Sequence, residues 1–346
     1  MNQATRRKDA PITTPPSTPQ RPLRIVFFGS GAFGLPTLQH LARHHAVAAV
    51  VTQPDKPAGR GSRLTPTPIG AWAAEHLAGV PLLRPAKVNL PECVEQIRAC
   101  SADAWVVIAF GQKLGQRLLA DRFAINLHAS LLPRWRGAAP INASILAGDR
   151  EVGNSVITLA DRMDAGLVLG QSRRPLDPMT TAGQLHDTLA ADGPALVEQV
   201  LLRHAAGEEW GDAQDEQLVT IAPKMSKADG VVDFAEAASC QRRIHAFNPW
   251  PGVTMVLTPD AAKPCDTLEM KLLRAAPIHL PAPHGKAPGK AVNTQDGTFA
   301  CADGSALKLL EVQPAGKRPM PWADFARGRA LAESAGLSPR PPGAEP

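Results

Sequence analysis

The 346-residue chain reads as an α/β protein: a Rossmann-like domain with a mostly parallel sheet, followed by a small β-barrel of the oligonucleotide-binding (OB) type. Three observations carry this expectation. Leu23–Phe28 is a short apolar run that enters Gly29-Ser-Gly-Ala-Phe-Gly34 and then a helical pattern with Leu38 and Leu41. Strand, glycine-rich turn and helix form the opening unit of a doubly wound sheet. Strand-like and helix-like stretches then alternate as far as Ala205, which implies parallel strands. Near Val253–Leu257, Thr267–Leu273, Lys290–Asn293, Gly297–Cys301 and Ala306–Val312 come short strand-like stretches with turn residues between them, the pattern of a small barrel.

Composition narrows the class. A hydrophobic share of 44% with 20% charged residues is ordinary for a soluble globular chain. No apolar run approaches the roughly 18 residues that span a bilayer. The net charge of +5 permits a polyanionic partner without demanding one. Cysteines 93, 100, 240, 265 and 301 form no C-x-x-C pair and no zinc-like spacing with histidine. No metal is expected, and scattered thiols fit a reducing, cytoplasmic setting. Residues 1–22 are polar and rich in Pro and Thr, with no apolar core. They read as a disordered tail and not as a secretory signal; a mitochondrial presequence is the alternative, which the prolines disfavour because they oppose an amphipathic helix. A second tail is expected over 331–346.

In chain order, Ala46–Val51 is the second strand. Asp55 stands about 20 residues past the glycines, the distance at which dinucleotide-binding folds place a ribose-binding acid. It follows Gln53-Pro54, however, and falls in a loop rather than at a strand tip, which disfavours a nicotinamide dehydrogenase. The loop Thr52–Pro68 sets Lys56, Arg60 and Arg63 against the single acid Asp55. Long loops in compact domains are usually functional or disordered, and such cations suit phosphate contact. Helices are expected at Ile69–Ala78 and Pro91–Cys100, and a strand at Ala104–Phe110. A further helix is expected from Gly111 through Leu119.

Ile125-Asn-Leu-His128 alternates. A strand's period of two places Asn126 and His128 together on one face, at the C-terminal strand end where open α/β sheets bind ligands. A plain polar pair satisfied by its neighbours is the competing reading. The loop Pro133–Gly137 adds Arg134, Trp135 and Arg136. A helix at Pro140–Ala147, a strand at Asn154–Leu159 and a turn Asp164-Ala-Gly166 follow, with Asp161 a rival acid, and then a helix at Thr181–Ala205. Gly207–Glu216 reads as a polar, acidic connector. Lys224-Met-Ser-Lys227 superficially matches the lysine motif of class I aminoacyl-tRNA synthetases, but the first half lacks their His-x-Gly-His signature. A helix at Ala235–Ala246 ends sharply at Asn248-Pro-Trp-Pro251.

Read at length, Asn126-Leu-His-Ala-Ser-Leu-Leu-Pro-Arg-Trp-Arg-Gly-Ala-Ala-Pro-Ile141 resembles the signature of the folate-dependent formyltransferases. Three more stretches resemble that family in order. Thr52–Gly61 is similar to the insertion of members that act on tRNA, Ala246–Gly252 to the second-domain signature, and Gln313–Met320 to the closing segment. The resemblance covers Leu23 to Arg329. It implies formyl transfer from 10-formyltetrahydrofolate to the free amino group of initiator methionyl-tRNA, for translation initiation. It also implies a catalytic domain at 23–207, a connector at 208–224 and an OB-like tRNA-binding domain at 225–330, in a monomer.

The residue roles come from the same resemblance. Asn126 and His128 polarise the formyl carbonyl; an amide is a good oxyanion donor, and a histidine is poised for proton transfer near neutral pH. Asp164 orients His128 and helps move the proton from amine to leaving nitrogen. Ser130, Leu131, Leu132 and Pro133 contact folate. Lys56, Arg60, Arg63, Lys317 and Arg318 contact tRNA. The chain departs from the family at Arg162 and Met163, where Gly-Leu is usual, and carries an extra glycine in the first turn. Formylation of a small amine such as a nucleotide or sugar is the alternative enzyme. A non-catalytic RNA-binding protein is the alternative of another class.

Overall fold

The computed structural model describes residues 21–58, 63–280 and 282–339. The chain divides into two compact units, Met1–Ile125 with Gly193–Gly211, and Asn126–Asp192 with Asp212–Pro346. The expected tail over 1–22 and the candidate Arg60 lie outside the described residues, apart from Arg21 and Pro22.

In the first unit, β1 (Arg24–Gly29), α1 (Leu35–His44), β2 (Ala46–Val51), the hairpin β3 (Lys56–Ala58) and β4 (Arg63–Thr65), α2 (Pro68–His76), β5 (Leu82–Leu83), α3 (Pro91–Ala99), β6 (Ala104–Ile108) and α4 (Gln116–Leu119) follow in order. Strands β6, β1, β2 and β5 lie side by side, all parallel. Every residue of β6 and all but the first of β1 are buried, which is why these strands read as unbroken apolar runs rather than alternating ones. The glycines after β1 serve close packing. A Cβ at Gly29 would lie 2.6 Å from the Phe27 ring, and one at Gly34 would lie 3.2 Å from Ile108. Asp55 pairs with Arg84 at 3.3 Å, so its partner is a protein cation.

One expectation needs correcting here. The helix expected from Gly111 is confined to α4. Gly111 takes a left-handed φ of +81°, and the side chain of Asn89 pins the following loop, accepting from the Gly115 N–H (2.7 Å) and donating to the Lys113 carbonyl (2.9 Å). Within the loop 52–68, β3 and β4 pair antiparallel.

In the second unit, β7 (Ala124–His128), β9 (Glu151–Thr158) and β10 (Val168–Pro175) lie in that order, β9 and β10 antiparallel. The two-residue strands β8 (Arg136–Gly137) and β11 (Ile221–Ala222) pair in parallel. Helices α5 (Pro140–Ala147), α6 (Ala182–Ala205, which runs on into the first unit) and α7 (Ala237–Ala246) intervene. Next come β12 (Val253–Thr258), β13 (Leu268–Ile278), β14 (Ala291–Asn293), β15 (Thr298–Ala300), β16 (Ala306–Pro314), β17 (Met320–Pro321), α8 (Trp322–Arg327) and β18 (Gly336–Pro339).

Their sheet runs β14-β15-β16-β13-β12-β18, every pair antiparallel, with β17 on β16. It curls until Lys290, beside β14, bridges Gly336 at the start of β18. The inward residues of β12 alternate as a barrel requires, with Val253, Met255 and Leu257 fully buried. The tail expected over 331–346 is therefore corrected at its start. Gly336–Pro339 is the strand that brings the two edges together, and Ala335 and Leu337 are buried.

Helix α7 docks on β13 through a buried histidine. His245 Nδ1–H donates to the Pro178 carbonyl (3.2 Å) while Nε2 accepts the Ala275 N–H (3.2 Å), an arrangement that only the neutral ring satisfies. Burial holds the His245 pKa below its ordinary value, assisted by Arg274. A histidine with a lowered folded pKa stabilises the fold fully above its unfolded value of about 6.5 and loses that contribution as pH falls below it. The wild type should therefore lose stability relative to His245→Gln as pH drops from 7 to 5, in urea unfolding followed by circular dichroism. A difference between the two that stays flat with pH would contradict this.

Candidate active site

The site grows from the end of β7. Ile125 and Leu127 are buried, Asn126 is half-buried, and His128 is 7% exposed. Beyond the strand the chain turns through Ser130–Gly137 and folds back over the imidazole. His128 Nε2–H donates to the carbonyl of Trp135 at 2.8 Å. A carbonyl only accepts, so this bond fixes the proton on Nε2 and leaves Nδ1 as the free nitrogen of the neutral ring. Nδ1 faces Asp164 Oδ2 at 3.7 Å, beyond direct hydrogen bonding and close enough for a bridging N–H or water.

Each partner is itself held. Trp135 has a left-handed φ of +66°. Its backbone N–H donates to Thr220 Oγ1 (2.9 Å) and its indole N–H to Asp149 (2.7 Å). Arg134 stacks on the indole at 4.7 Å and pairs with Asp149 at 2.7 Å. Asp164 also has a positive φ, +54°, and its Oδ2 accepts the Gly137 N–H at 2.9 Å. Gly137, at φ +124°, leaves no room for a side chain: a Cβ would sit 2.5 Å from the Ala222 carbonyl. The acid beside the histidine is thus Asp164; its rival Asp161 is exposed.

The four residues expected to contact folate divide. Ser130 and Leu132 are buried, while Leu131 and Pro133 are half-buried. The Ser130 hydroxyl donates to the Arg134 carbonyl at 2.7 Å, closing the turn. Behind the turn, Ser155 Oγ donates to the Ser130 carbonyl (2.7 Å) and accepts from the Leu132 N–H (3.0 Å) and Gln171 Nε2 (2.9 Å). Ser155 and Gln171, which no sequence motif marks, thus fix this turn from β9 and β10. Arg136, offered as a loop cation, is 5% exposed and bound by Gln214 and Glu216. Its two hydrogen-bonded arginines, Arg162 and Arg136, hold the Glu216 carboxyl below its ordinary pKa. Lys56, Arg63, Lys317 and Arg318 are exposed.

Residues 23–201 match the formyl transferase family and residues 224–330 match the formyl transferase C-terminal domain. The chain belongs to the formyl transferase family. A methionyl-tRNA formyltransferase of Methylococcus capsulatus is 43% identical over 317 residues, covering 90% of this chain and 98% of the relative. One from Bradyrhizobium is 42% identical over 316 residues, with the same coverage. Among solved structures, the sugar 3N-formyltransferase WlaRD superposes with a TM-score of 0.59 at 14% identity, covering 86% of this chain and 99% of its own. HypX from Aquifex aeolicus superposes with a TM-score of 0.57 at 16% identity, covering 88% and 48%. Both share the fold with this formyltransferase.

The turn of the formyltransferase that follows β7 depends on Ser155. Ser155→Ala leaves the buried Leu132 N–H without its acceptor, which should cost about 1–3 kcal/mol in urea unfolding. An unchanged unfolding midpoint would contradict that reading.

Proposed function

We propose that the enzyme transfers the formyl group of 10-formyltetrahydrofolate to the amino group of methionyl-initiator tRNA. The reading draws on the relatives' names, on four ordered sequence signatures, and above all on one observation. His128 is anchored through Nε2 with Nδ1 turned toward Asp164. The groups suit a formyl carbonyl: Asn126 offers a half-buried amide two residues before the imidazole on β7, and the imidazole lies beside a carboxylate that accepts but does not donate when ionised.

The bound folate supplies the formyl carbon. Asn126 donates its amide N–H to the formyl oxygen, where negative charge develops as the amine attacks. His128 Nδ1 takes a proton from the attacking nitrogen, and the cation so formed lies beside Asp164, which stabilises it. The same Nδ1–H then returns the proton to the departing folate nitrogen. One C–N bond forms, one breaks, and the proton passes from one nitrogen to the other. The family resemblance implies a share for His128 in polarising the carbonyl. With Nε2 committed to Trp135, we assign His128 to proton transfer and leave polarisation to Asn126. Leu131 and Pro133 offer apolar surface to the folate, and Ser130 and Leu132 shape the turn that presents them.

We assign residues 23–207 to folate binding and catalysis and residues 225–330 to tRNA. Lys56 and Arg63 on the hairpin, with Lys317 and Arg318 after β16, serve as phosphate contacts.

Formylation of methionyl-initiator tRNA should fall by about 10²–10⁴-fold in kcat for His128→Ala and by about 10²–10³-fold for Asn126→Ala. Wild-type rates in either variant would remove that residue from the chemistry, and an inert wild type would sink the function itself. Replacing Lys56, Arg63, Lys317 and Arg318 by Gln should raise the KM for tRNA. It should also flatten the dependence of log KM on log salt, by up to about 0.9 per lost phosphate contact. An unchanged salt slope would place the RNA surface elsewhere.

A further inference from the structure

The connector reads as a polar spacer, and residues 202–223 are matched by neither family segment. In the fold, much of it is bonded to the catalytic loops. Asp212 exchanges two backbone hydrogen bonds with Val168, each 2.9 Å, at the start of β10. The Thr220 carbonyl and hydroxyl accept from the Arg136 and Trp135 N–H groups, both at 2.9 Å. Ile221–Ala222 forms β11 against β8. Between these anchors, Gln214 Nε2 donates to two carbonyls of one turn, Asp164 O and Gly166 O, both at 2.8 Å. Its Oε1 accepts the buried Arg136 Nε–H, also at 2.8 Å.

We propose that Gln214 is a positioning residue for catalysis: it holds the backbone of Asp164 in its left-handed conformation and thereby sets the carboxylate opposite His128. The physical case is one of geometry and complementarity. A non-glycine residue at φ +54° needs its surroundings to keep it there, although Asp tolerates this region better than most residues. Gln214 grips both ends of the Asp164–Gly166 turn with one amide. It ties that turn to the side chain of Arg136, the residue directly before Gly137, and the Gly137 N–H binds Asp164 Oδ2. Gln214 and the Gly137 amide thus fix Asp164 from its main chain and its side chain. A glutamine meets both demands of the position, two N–H donors on one side and an oxygen acceptor on the other. A glutamate keeps the acceptor for Arg136 but turns an oxygen against two carbonyl oxygens. The proposal rests on the formyl-transfer reading for its activity readout, but not for its structural one.

The test compares wild type, Gln214→Glu, Gln214→Ala and each substitution combined with Asp164→Asn in the full-length protein. Gln214→Glu should lower kcat for formylation about 10–100-fold, with KM for folate and for tRNA within about twofold, because the distance that changes lies between reacting groups. In the Asp164→Asn background the same substitution should change kcat less than about twofold, since a residue acting through Asp164 has nothing left to act on. Hydrogen exchange of a peptide spanning Gly137, followed by mass spectrometry, should show the Gly137 amide exchanging at least about tenfold faster in Gln214→Glu. Gln214→Ala, which removes the donors without adding a repelling oxygen, should show the same pattern at smaller amplitude and a near-native thermal midpoint. An unchanged kcat, a full additive loss on top of Asp164→Asn, or an unchanged Gly137 exchange rate would each overturn the proposal. A wild type that forms no formyl-methionyl-tRNA would fail the functional reading alone, and the exchange experiment would still decide the positioning role.

Discussion

The site depends on one hydrogen bond, from His128 Nε2 to the carbonyl of Trp135 at 2.8 Å. It selects the tautomer, orients the ring and leaves Nδ1 as the ring nitrogen open to the proposed proton transfer. To place that carbonyl, the chain between Ser130 and Gly137 must double back on β7. The fold commits several groups to the reversal: the Ser130 hydroxyl on Arg134, Ser155 on both sides of the turn, the Trp135 indole on Asp149, and Thr220 on the Trp135 amide. Three residues of the network around His128, namely Trp135, Gly137 and Asp164, have positive φ. Backbone in that region is costly for residues with a side chain and persists only where its neighbours hold it.

This constraint explains why residues that look functional in the sequence play supporting parts. Arg136 has the charge for an anionic substrate, yet it is buried and spent on Gln214 and Glu216. Ser130 has a hydroxyl in a signature segment, yet that hydroxyl closes a turn. Arg134 and Trp135 stack and share Asp149. What remains for the proposed chemistry is a small set, Asn126, Nδ1 of His128 and the carboxylate of Asp164, and the last two are held by a much larger one. Preorganisation of this kind is where most catalytic stabilisation by fixed polar groups originates.

The sequence made the skeleton legible wherever local periodicity carries the signal. Strands β1 and β6 are buried on both faces and announce themselves as apolar runs, and the alternation of Ile125 to His128 marks the strand that ends in the site. Legibility failed where long-range contacts decide. Gly336-Leu-Ser-Pro339 resembles a tail in composition and becomes a strand only because β12 offers it an edge. The stretch from Gly111 to Gly115 leads into α4 but is bent by a left-handed glycine and pinned by Asn89, 26 residues before Gly115. Gln214 lies 50 residues from Asp164 in sequence, so no local pattern joins them. Asp164 itself was separable from Asp161 only by family resemblance, whereas the distance to His128 separates them directly.

The central claim is that this arrangement formylates the amine of an aminoacyl-tRNA. Its most direct measurement offers 10-formyltetrahydrofolate to the wild-type protein with three acceptors in one mixture: methionyl-initiator tRNA, free methionine and an amino-sugar nucleotide. The formylated products are identified by mass spectrometry. The account predicts formyl-methionyl-tRNA as the dominant product at early times, with the two small amines left unmodified. Preferential formylation of the sugar nucleotide, or equal transfer to free methionine, would contradict it and reassign the same His128 and Asp164 geometry to a small-molecule acceptor.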